Sequence, residues 1–366
     1  MSNSDDGSRA FRWTHAGGIV SLGAFDNPGG FQSSQARAVS ADGSVIVGGS
    51  ALPRSLNEDG SPFRWTAQTG LVFLGSLGGT DGGVAHGVSA DGSVVVGYGS
   101  DQNFNLEAFR WTQPTGAVAI GDVAGGPVNS QARGVSGDGS IVVGYGSHSF
   151  VFDTGFRWTS ATGLTTPFPT RFQALGISQN GQVVVGAALG RAVVVGPGGP
   201  ITIPRNNAFG GTDSAFAASA DGSVVVGLMA LDQNGGDFGH AFIWDAQHGT
   251  RFLIDVLADL GFHPQWELNA ATGVSADGRV ICGYGFDPTG EQAGWVIHLP
   301  SPCGTADFNC DGDIGTDADI EAFFACIAGT CPAAPCAGSA DFNGDGDVGT
   351  DSDIEAFFRV LAGGSC

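Results

Sequence analysis

The sequence predicts an all-β repeat domain followed by a small α-helical module. The repeat domain reads as a β-propeller of six blades, with seven as the alternative count. Three observations carry this. A unit reading A-x-G-V-S-A-D-G-S-V-V-V-G-Y-G-S, a variable loop, then A-F-R-W-T-x-x-T-G-x-V-x-L-G recurs through residues 10–300. Each copy holds an Asp-Gly or Asn-Gly pair between two short apolar runs: Asp42-Gly43, Asp91-Gly92, Asp138-Gly139, Asn180-Gly181, Asp221-Gly222 and Asp277-Gly278. Residues 307–324 (DFNCDGDIGTDADIEAFF) return 34 residues later as 341–358 (DFNGDGDVGTDSDIEAFF).

The Asp-Gly pairs mark hairpins, because both central residues of a two-residue hairpin turn need positive φ. Their spacings are 49, 47, 42, 41 and 56 residues. The flanking runs are β-branched and aromatic and of strand length. One copy therefore gives four short strands, ARAVS, SVIVG, FRWT and LVFLG. Four strands per roughly 40–50 residues is the period of a propeller blade, and a lone blade cannot bury both its faces.

Residues 1–9 read as a flexible N-terminus. The following FRWTHAGGIVSLG would add outer strands to the last blade and close the ring. GWVIHL (294–299) already fills that slot, which keeps the seven-blade count open. Copies four and five are degenerate, with RAVVVGPGGPITIP (191–204) in place of the FRWT pair. In the sixth copy FLIDVLADLGFHPQW (252–266) spaces Leu253, Val256, Leu257 and Leu260 at a helical period. The recurring Arg12, Arg64, Arg110 and Arg157 alternate with Phe and Trp, so they share a strand face. They are expected to pair with acids of neighbouring blades, the alternative being a cationic ring for anionic sugars. The Trp residues are expected in the inter-blade core rather than as carbohydrate platforms.

The formal net charge is −22, from 36 acids against 14 bases, and every base is Arg. Such a chain is a poor partner for nucleic acid or anionic lipid. The lack of Lys excludes Schiff-base chemistry. No run reaches membrane-spanning length. Six of seven cysteines, Cys303, Cys310, Cys326, Cys331, Cys336 and Cys366, lie in the last 64 residues, which reads as a disulfide framework in an oxidising compartment. Cys282 stands where sibling copies have Val and is expected to be a buried thiol. Met1 is followed by a polar stretch rather than a signal peptide, so a secreted protein is expected to have lost that segment.

The repeat resembles the HAF family of bacterial extracellular repeats, through its F-x-W…LG…G-x-S-x-D/N-G-x-V-V-G signature. The stretch LIDVLADLGFHPQWELNAATGVSADGRVICGYG resembles the end of proteins in that family. The resemblance covers nearly all of residues 10–300 and implies secretion and repeat architecture, with no established activity.

The duplicated segment of residues 301–366, which begins at Ser301-Pro302, has the chemistry of a calcium loop: hard oxygen donors around an obligatory Gly, running into a helix. In the first copy the ligands are Asp307, Asn309 and Asp311, with Gly312 at the sharp turn and Asp313 next. A twelve-residue count ends on Ala318. Ile320, Phe323, Phe324 and Ile327 form one helix face, and this register makes Asp319 the last ligand, with Asp317 as alternative. Thr316 and Asp319 could equally form a capping box. The second copy gives Asp341, Asn343, Asp345, Asp347 and Asp353, with Asp351 as alternative. Two Ca²⁺ ions are expected. The symmetry of the duplication favours disulfides Cys303–Cys331, Cys310–Cys326 and Cys336–Cys366.

Two calcium loops, each followed by one helix, resemble a type I dockerin, through DFNxDGD and the trailing D-I-x-x-F-F. The resemblance implies attachment through a cohesin-like or other anchoring protein at the cell surface. The extra loop residue and the cysteines depart from that family's pattern. Within the repeat there is no nucleophile elbow, phosphate loop, zinc pattern or paired-carboxylate motif. The leading reading is a secreted, non-catalytic binding or structural propeller, with carbohydrate as a candidate ligand. The alternative is an anchored enzyme of polysaccharide breakdown, which would need two convergent carboxylates.

Overall fold

The computed structural model describes residues 2–4, 7–14, 16–26, 32–51, 60–79, 82–148, 153–205, 211–230, 239–299, 304–332, 339–343 and 348–363. The chain divides into two compact units, Met1–His298 and Leu299–Cys366.

The first unit is a six-bladed β-propeller preceded by a small sheet. That sheet is β1 (Ser2–Ser4), β2 (Gly7–Thr14) and β3 (Gly18–Gly23). Blade 1 is β4 (Ser34–Val39), β5 (Val45–Ser50), β6 (Ser61–Thr66) and β7 (Gly70–Phe73). Blade 2 is β8 (Gly83–Val88), β9 (Val94–Ser100), β10 (Leu106–Thr112) and β11 (Gly116–Gly121). Blade 3 is β12 (Ser130–Val135), β13 (Ile141–Ser147), β14 (Asp153–Thr159) and β15 (Gly163–Thr165). Blade 4 is β16 (Phe172–Ile177), β17 (Val184–Ala188), β18 (Arg191–Gly196) and β19 (Gly199–Thr202). Blade 5 is β20 (Ser214–Ala218), β21 (Val225–Ala230), β22 (Gly239–Asp245) and β23 (Gly249–Phe252). Helix α1 (Leu253–Asp259) follows, and blade 6 is β24 (Glu267–Val274), β25 (Val280–Phe286) and β26 (Gln292–His298). Strands pair antiparallel in sequence order within each blade. First strands of successive blades pack on one another while fourth strands splay, so the first strand of each blade is innermost.

The recurring Ser-x-Asp-Gly explains each inner hairpin. Ser40 Oγ donates to Asp42 Oδ1 (2.7 Å) and accepts from Val45 N (3.0 Å), while Asp42 Oδ1 also accepts from Ser44 N. The same bonds recur at Ser89/Asp91, Ser136/Asp138 and Ser178/Asn180. The turn role expected for these acids therefore holds. Successive turns are also tied together, Ala41 N to Ala90 O, Ala90 N to Gly137 O and Gly137 N to Gln179 O, continuing through Ala220 to Ala276. The turn glycine has φ +72° at Gly92, where a Cβ would lie 2.4 Å from Val45 Cγ2 of the preceding blade.

Phe63, Phe109, Phe156 and Phe242 are buried from water to 1% exposure or less, and Trp65, Trp111, Trp158 and Trp244 pack in or against the same clusters. Trp13 is 47% exposed, the exception to the expected core role. The degenerate RAVVVGPGGPITIP still supplies a third and fourth strand, β18 and β19. In α1, Leu253 and Val256 are buried as expected and Leu260 ends the helix.

The N-terminus contributes strands β1 and β2 from Ser2 onward among the described residues. Three expectations are corrected. β2 and β3 do not complete the last blade: among the described residues, no pairing joins them to β26. They pack instead beside β4 and β7 of blade 1, because β26 already fills the third-strand position. Among the described residues the strand arginines Arg64 and Arg110 do not meet acids; each reaches the turn-glycine carbonyl of the next blade, Gly92 and Gly139, at 3.5 Å. Arg110 also lies 6.0 Å from the Trp158 ring centroid. Cys282 is exposed rather than buried. It sits on the last blade, with no following blade packed over it among the described residues.

The second unit pairs α2 (Asp317–Ile327) with α3 (Asp351–Leu361). Its core is made of twin residues from the two copies. Phe323 and Phe357 stack at 4.1 Å between centroids, and Phe308 stacks with Phe342 at 6.2 Å. All four are at most 2% exposed. The sequence duplication is thus a duplication in space, each half burying the other's aromatic face.

Candidate functional site

The first loop of the second unit folds around its own oxygens. Asp307 Oδ2 accepts from Gly312 N (3.2 Å), Asn309 Oδ1 from Asp311 N (2.9 Å) and Asp311 Oδ1 from Asp313 N (2.9 Å). Gly312 sits at φ +92°, a turn that favours glycine. Asp307 Oδ1 is buried and has no hydrogen-bond partner among the described residues. An orphaned, buried carboxylate oxygen is costly unless something cationic or a donor meets it. The donor set is hard oxygen throughout, which suits Ca²⁺. The residues thus fit the ion in chemistry. Among the described residues, however, no three acid, imidazole or thiol side chains are gathered as a metal cluster.

Asp319, at the start of the helix after the loop, is fully buried. Its Oδ2 accepts from Thr316 N (2.8 Å) and Thr316 Oγ1 (3.0 Å), and its Oδ1 from Asn309 N (3.3 Å). Asp353 does the same more completely: Phe342 N (2.7 Å) and Asn343 N (3.2 Å) on Oδ1, Thr350 N (2.8 Å) and Thr350 Oγ1 (2.9 Å) on Oδ2. Both helices begin in a capping box. Burial alone would raise these carboxyls, but the loop and cap donors hold both below the ordinary value. Both carboxylates are thus engaged by N–H and O–H groups, and the capping box that the sequence allowed Asp319 and Asp353 is formed. Asp317 and Asp351, the alternative last ligands, are exposed on the first helical turns. Asp313 is exposed, and Asp341 and Asn343 occupy the corresponding places in the second loop. Asp345 and Asp347 lie outside the described residues.

Two of the three expected disulfides are overturned. Cys326 bonds Cys331, which excludes both Cys303–Cys331 and Cys310–Cys326. The bridge closes a six-residue span at the end of α2 instead of linking symmetric flanks. Cys303, Cys336 and Cys366 lie outside the described residues.

On the propeller, a cavity of about 310 Å³ is lined by Asp153, Arg171, Gln173, Leu189, Thr212 and Ser214, among others, between blades 3, 4 and 5. Asp153 is its one carboxylate among the described residues, and Gln173 Nε2 donates to it at 2.7 Å. Elsewhere in blade 2, Glu107 is pushed up by burial and by the charges of Asp101 and Asp122, and Asp122 is pushed up by burial. Glu107 lies on β10 while Asp101 and Asp122 lie in the loops flanking it and its partner strands, so no sequence motif joins the three.

No protein-family model matches the chain, and no curated protein does. Among solved structures, the chain is similar to an assigned TolB from Agrobacterium tumefaciens (16% identity, 77% of this chain and 94% of that chain, TM-score 0.46). It is also similar to TolB from Acinetobacter baumannii (14% identity, 63% and 55%, TM-score 0.43) and to an acylaminoacyl peptidase from Pyrococcus horikoshii (10% identity, 72% and 45%, TM-score 0.45). At these values function has to be argued from the chain's own residues. No helix among the described residues is long and apolar enough to cross a membrane.

Proposed function

We propose that this chain is a secreted calcium-binding protein whose propeller is a non-catalytic binding or structural body, attached at the cell surface through its dockerin-like C-terminal unit. The observation that carries the reading is the buried, partnerless Oδ1 of Asp307 in a loop whose other oxygens belong to Asn309 and Asp311. Asp307, Asn309 and Asp311 would hold the ion through side-chain oxygens, Asp313 through its carbonyl, and Asp317 through the last carboxylate. Asp341, Asn343, Asp345, Asp347 and Asp351 would do so in the second loop. Asp319 and Asp353 position each loop against its helix. Bound Ca²⁺ supplies charge neutralisation and loop order rather than chemistry.

The twin aromatic core supports attachment as the unit's role: it packs α2 against α3 as one body. A cohesin-like protein or another anchoring protein is the partner in this reading. Pull-down of immobilised cohesin domains by the Ca²⁺-loaded chain, lost with EGTA, tests it. Failure of every cohesin tried, with Ca²⁺ binding intact, would leave a calcium module without a cohesin role.

The polysaccharide-enzyme reading has one observation in its favour, the raised carboxyls of Glu107 and Asp122. Hydrolysis of a glycan that disappears in Glu107→Gln would favour it over the binding role.

A further inference from the structure

Each innermost strand of the propeller carries a β-bulge at the same place. The pairing skips one residue in β4, β8, β12, β16 and β20, at Arg37, His86, Arg133, Leu175 and Phe216, and in β24 it skips Thr272 and also Asn269. A bulged residue is released from the ladder and its side chain is re-aimed, a device frequent beside functional sites. Innermost strands surround the axis of a propeller. The three bulge residues with nitrogen heads fall on three consecutive strands.

They also meet. Arg133 Nη1 lies 3.1 Å from His86 Nε2, and Arg133 Nη2 donates to Tyr145 Oη at 2.7 Å. The guanidinium sits 5.3 Å from the Tyr145 ring centroid, and the His86 ring is 5.6 Å from that of Tyr98. Arg133 Nε is buried with no hydrogen-bond partner among the described residues. Arg37 is exposed, and no hydrogen bond or ion pair holds its guanidinium among the described residues. Burial, then the charges of Arg133 and Arg37, drive the His86 imidazole well below its ordinary pKa, so it stands neutral between two cations.

The absence of an acid here is informative. The chain has 36 acids and 14 bases, yet among the described residues no carboxylate hydrogen-bonds or pairs with Arg37, His86 or Arg133. Elsewhere buried acids and arginines do find each other: Asp213 takes Arg205 at 2.7 Å and Arg191 at 3.3 Å. Two guanidiniums held near one another without a counter-charge repel, and an anion between them removes that cost. Arg37 offers a planar fork that matches a carboxylate bidentately, and Arg133 keeps its Nε–H without a partner among the described residues.

We propose that Arg37, His86 and Arg133, with Tyr98 and Tyr145 beside them, form an axial binding station for the carboxylate of a small ligand. This goes beyond the binding role of the propeller by naming the ligand class, and it is independent of the calcium unit.

The test is calorimetric titration of the full, Ca²⁺-saturated chain with sodium acetate and sodium galacturonate, with galactose as the uncharged control and inorganic phosphate as the competing oxyanion. Saturable galacturonate binding is expected, with none for galactose. It should weaken about tenfold or more in Arg37→Gln and in Arg133→Gln, the scale of one lost charge-assisted bond. Arg37 is exposed, so its variant keeps the fold even if Arg133→Gln does not. Arg64→Gln, at the outer contact to Gly92, should bind as the parent does. The proposal is overturned by no binding of either carboxylate, by equal binding of galactose, or by unchanged binding in Arg37→Gln. Tighter binding of phosphate through the same arginines would overturn the carboxylate assignment. Loss of Ca²⁺ binding in a loop variant that still binds galacturonate would fail the calcium reading and leave this one standing.

Discussion

Asp353 Oδ1 accepts the main-chain N–H of Phe342 at 2.7 Å, eleven residues upstream, while its Oδ2 closes the cap on Thr350. One carboxylate thus fastens the start of a metal-type loop to the start of the helix after it. Asp319 repeats the arrangement with Asn309 and Thr316.

From this follows a separation of stability from ion binding. Asp319→Ala and Asp353→Ala each leave buried N–H groups without an acceptor, a loss of about 2 kcal/mol. For a unit of this size that is a fall of roughly 10 °C in its melting temperature. Calorimetry should still count two Ca²⁺ in each variant at a temperature where the unit is folded. A lost ion with an unchanged melting temperature would return both residues to the ligand role.

The inner hairpins predict an acid limb to propeller stability. The Ser40 hydroxyl and Ser44 N–H hold Asp42 down to about 2, and Ser136 and Ser140 do so for Asp138. A depressed folded pKa gives stability that is complete above the unfolded value near about 4. It is lost as pH falls through that value toward about 2. Asn180 makes the same turn bonds without a titrating group. Asp138→Asn should therefore keep the fold and flatten the dependence of unfolding free energy on pH across that window. An unchanged acid limb in that variant and in Asp42→Asn would contradict the turn account.

Inter-blade packing predicts unequal costs for one substitution at two equivalent turns. Gly43 and Gly92 have φ of +70° and +72°, but a Cβ on Gly43 meets nothing within 4 Å, whereas on Gly92 it meets Val45 Cγ2 at 2.4 Å. Gly43→Ala should cost only the left-handed strain, about 1 kcal/mol. Gly92→Ala should cost that plus overpacking, in total about 2–4 kcal/mol. Denaturant titration of the two variants measures the difference, and equal costs would mean that the turns do not register one blade on the next.

Peptide mapping under non-reducing conditions should recover a Cys326–Cys331 peptide. Cys331→Ser should destabilise the second unit by about 2 kcal/mol, the expectation for a bridge closing so short a span. A Cys303–Cys331 peptide would instead restore the symmetric pattern.

The repeat was legible in sequence because its signals are local. An Asp-Gly turn needs only its own residues and a nearby Ser, and a blade needs only alternation. What escaped depended on neighbours. β2 and β3 carry the same FRWT and LG signals as any outer pair, and only the prior occupation of the slot by β26 decides where they pack. Arg64 and Arg110 were assigned acids because Arg pairs with acids on average, whereas their neighbour in space is a turn carbonyl. The cysteine symmetry failed because a short span between Cys326 and Cys331 outcompetes a symmetric one. The Asp319 register was readable to the residue, but its role depended on which N–H groups the folded loop turned toward it.

The measurement that tests the account most directly is calorimetric Ca²⁺ titration of the parent chain beside Asp307→Ala. The account predicts two ions for the parent and one for the variant, with the cap of α2 intact by circular dichroism. No saturable Ca²⁺ binding by the parent, or two ions still bound by Asp307→Ala, would contradict it.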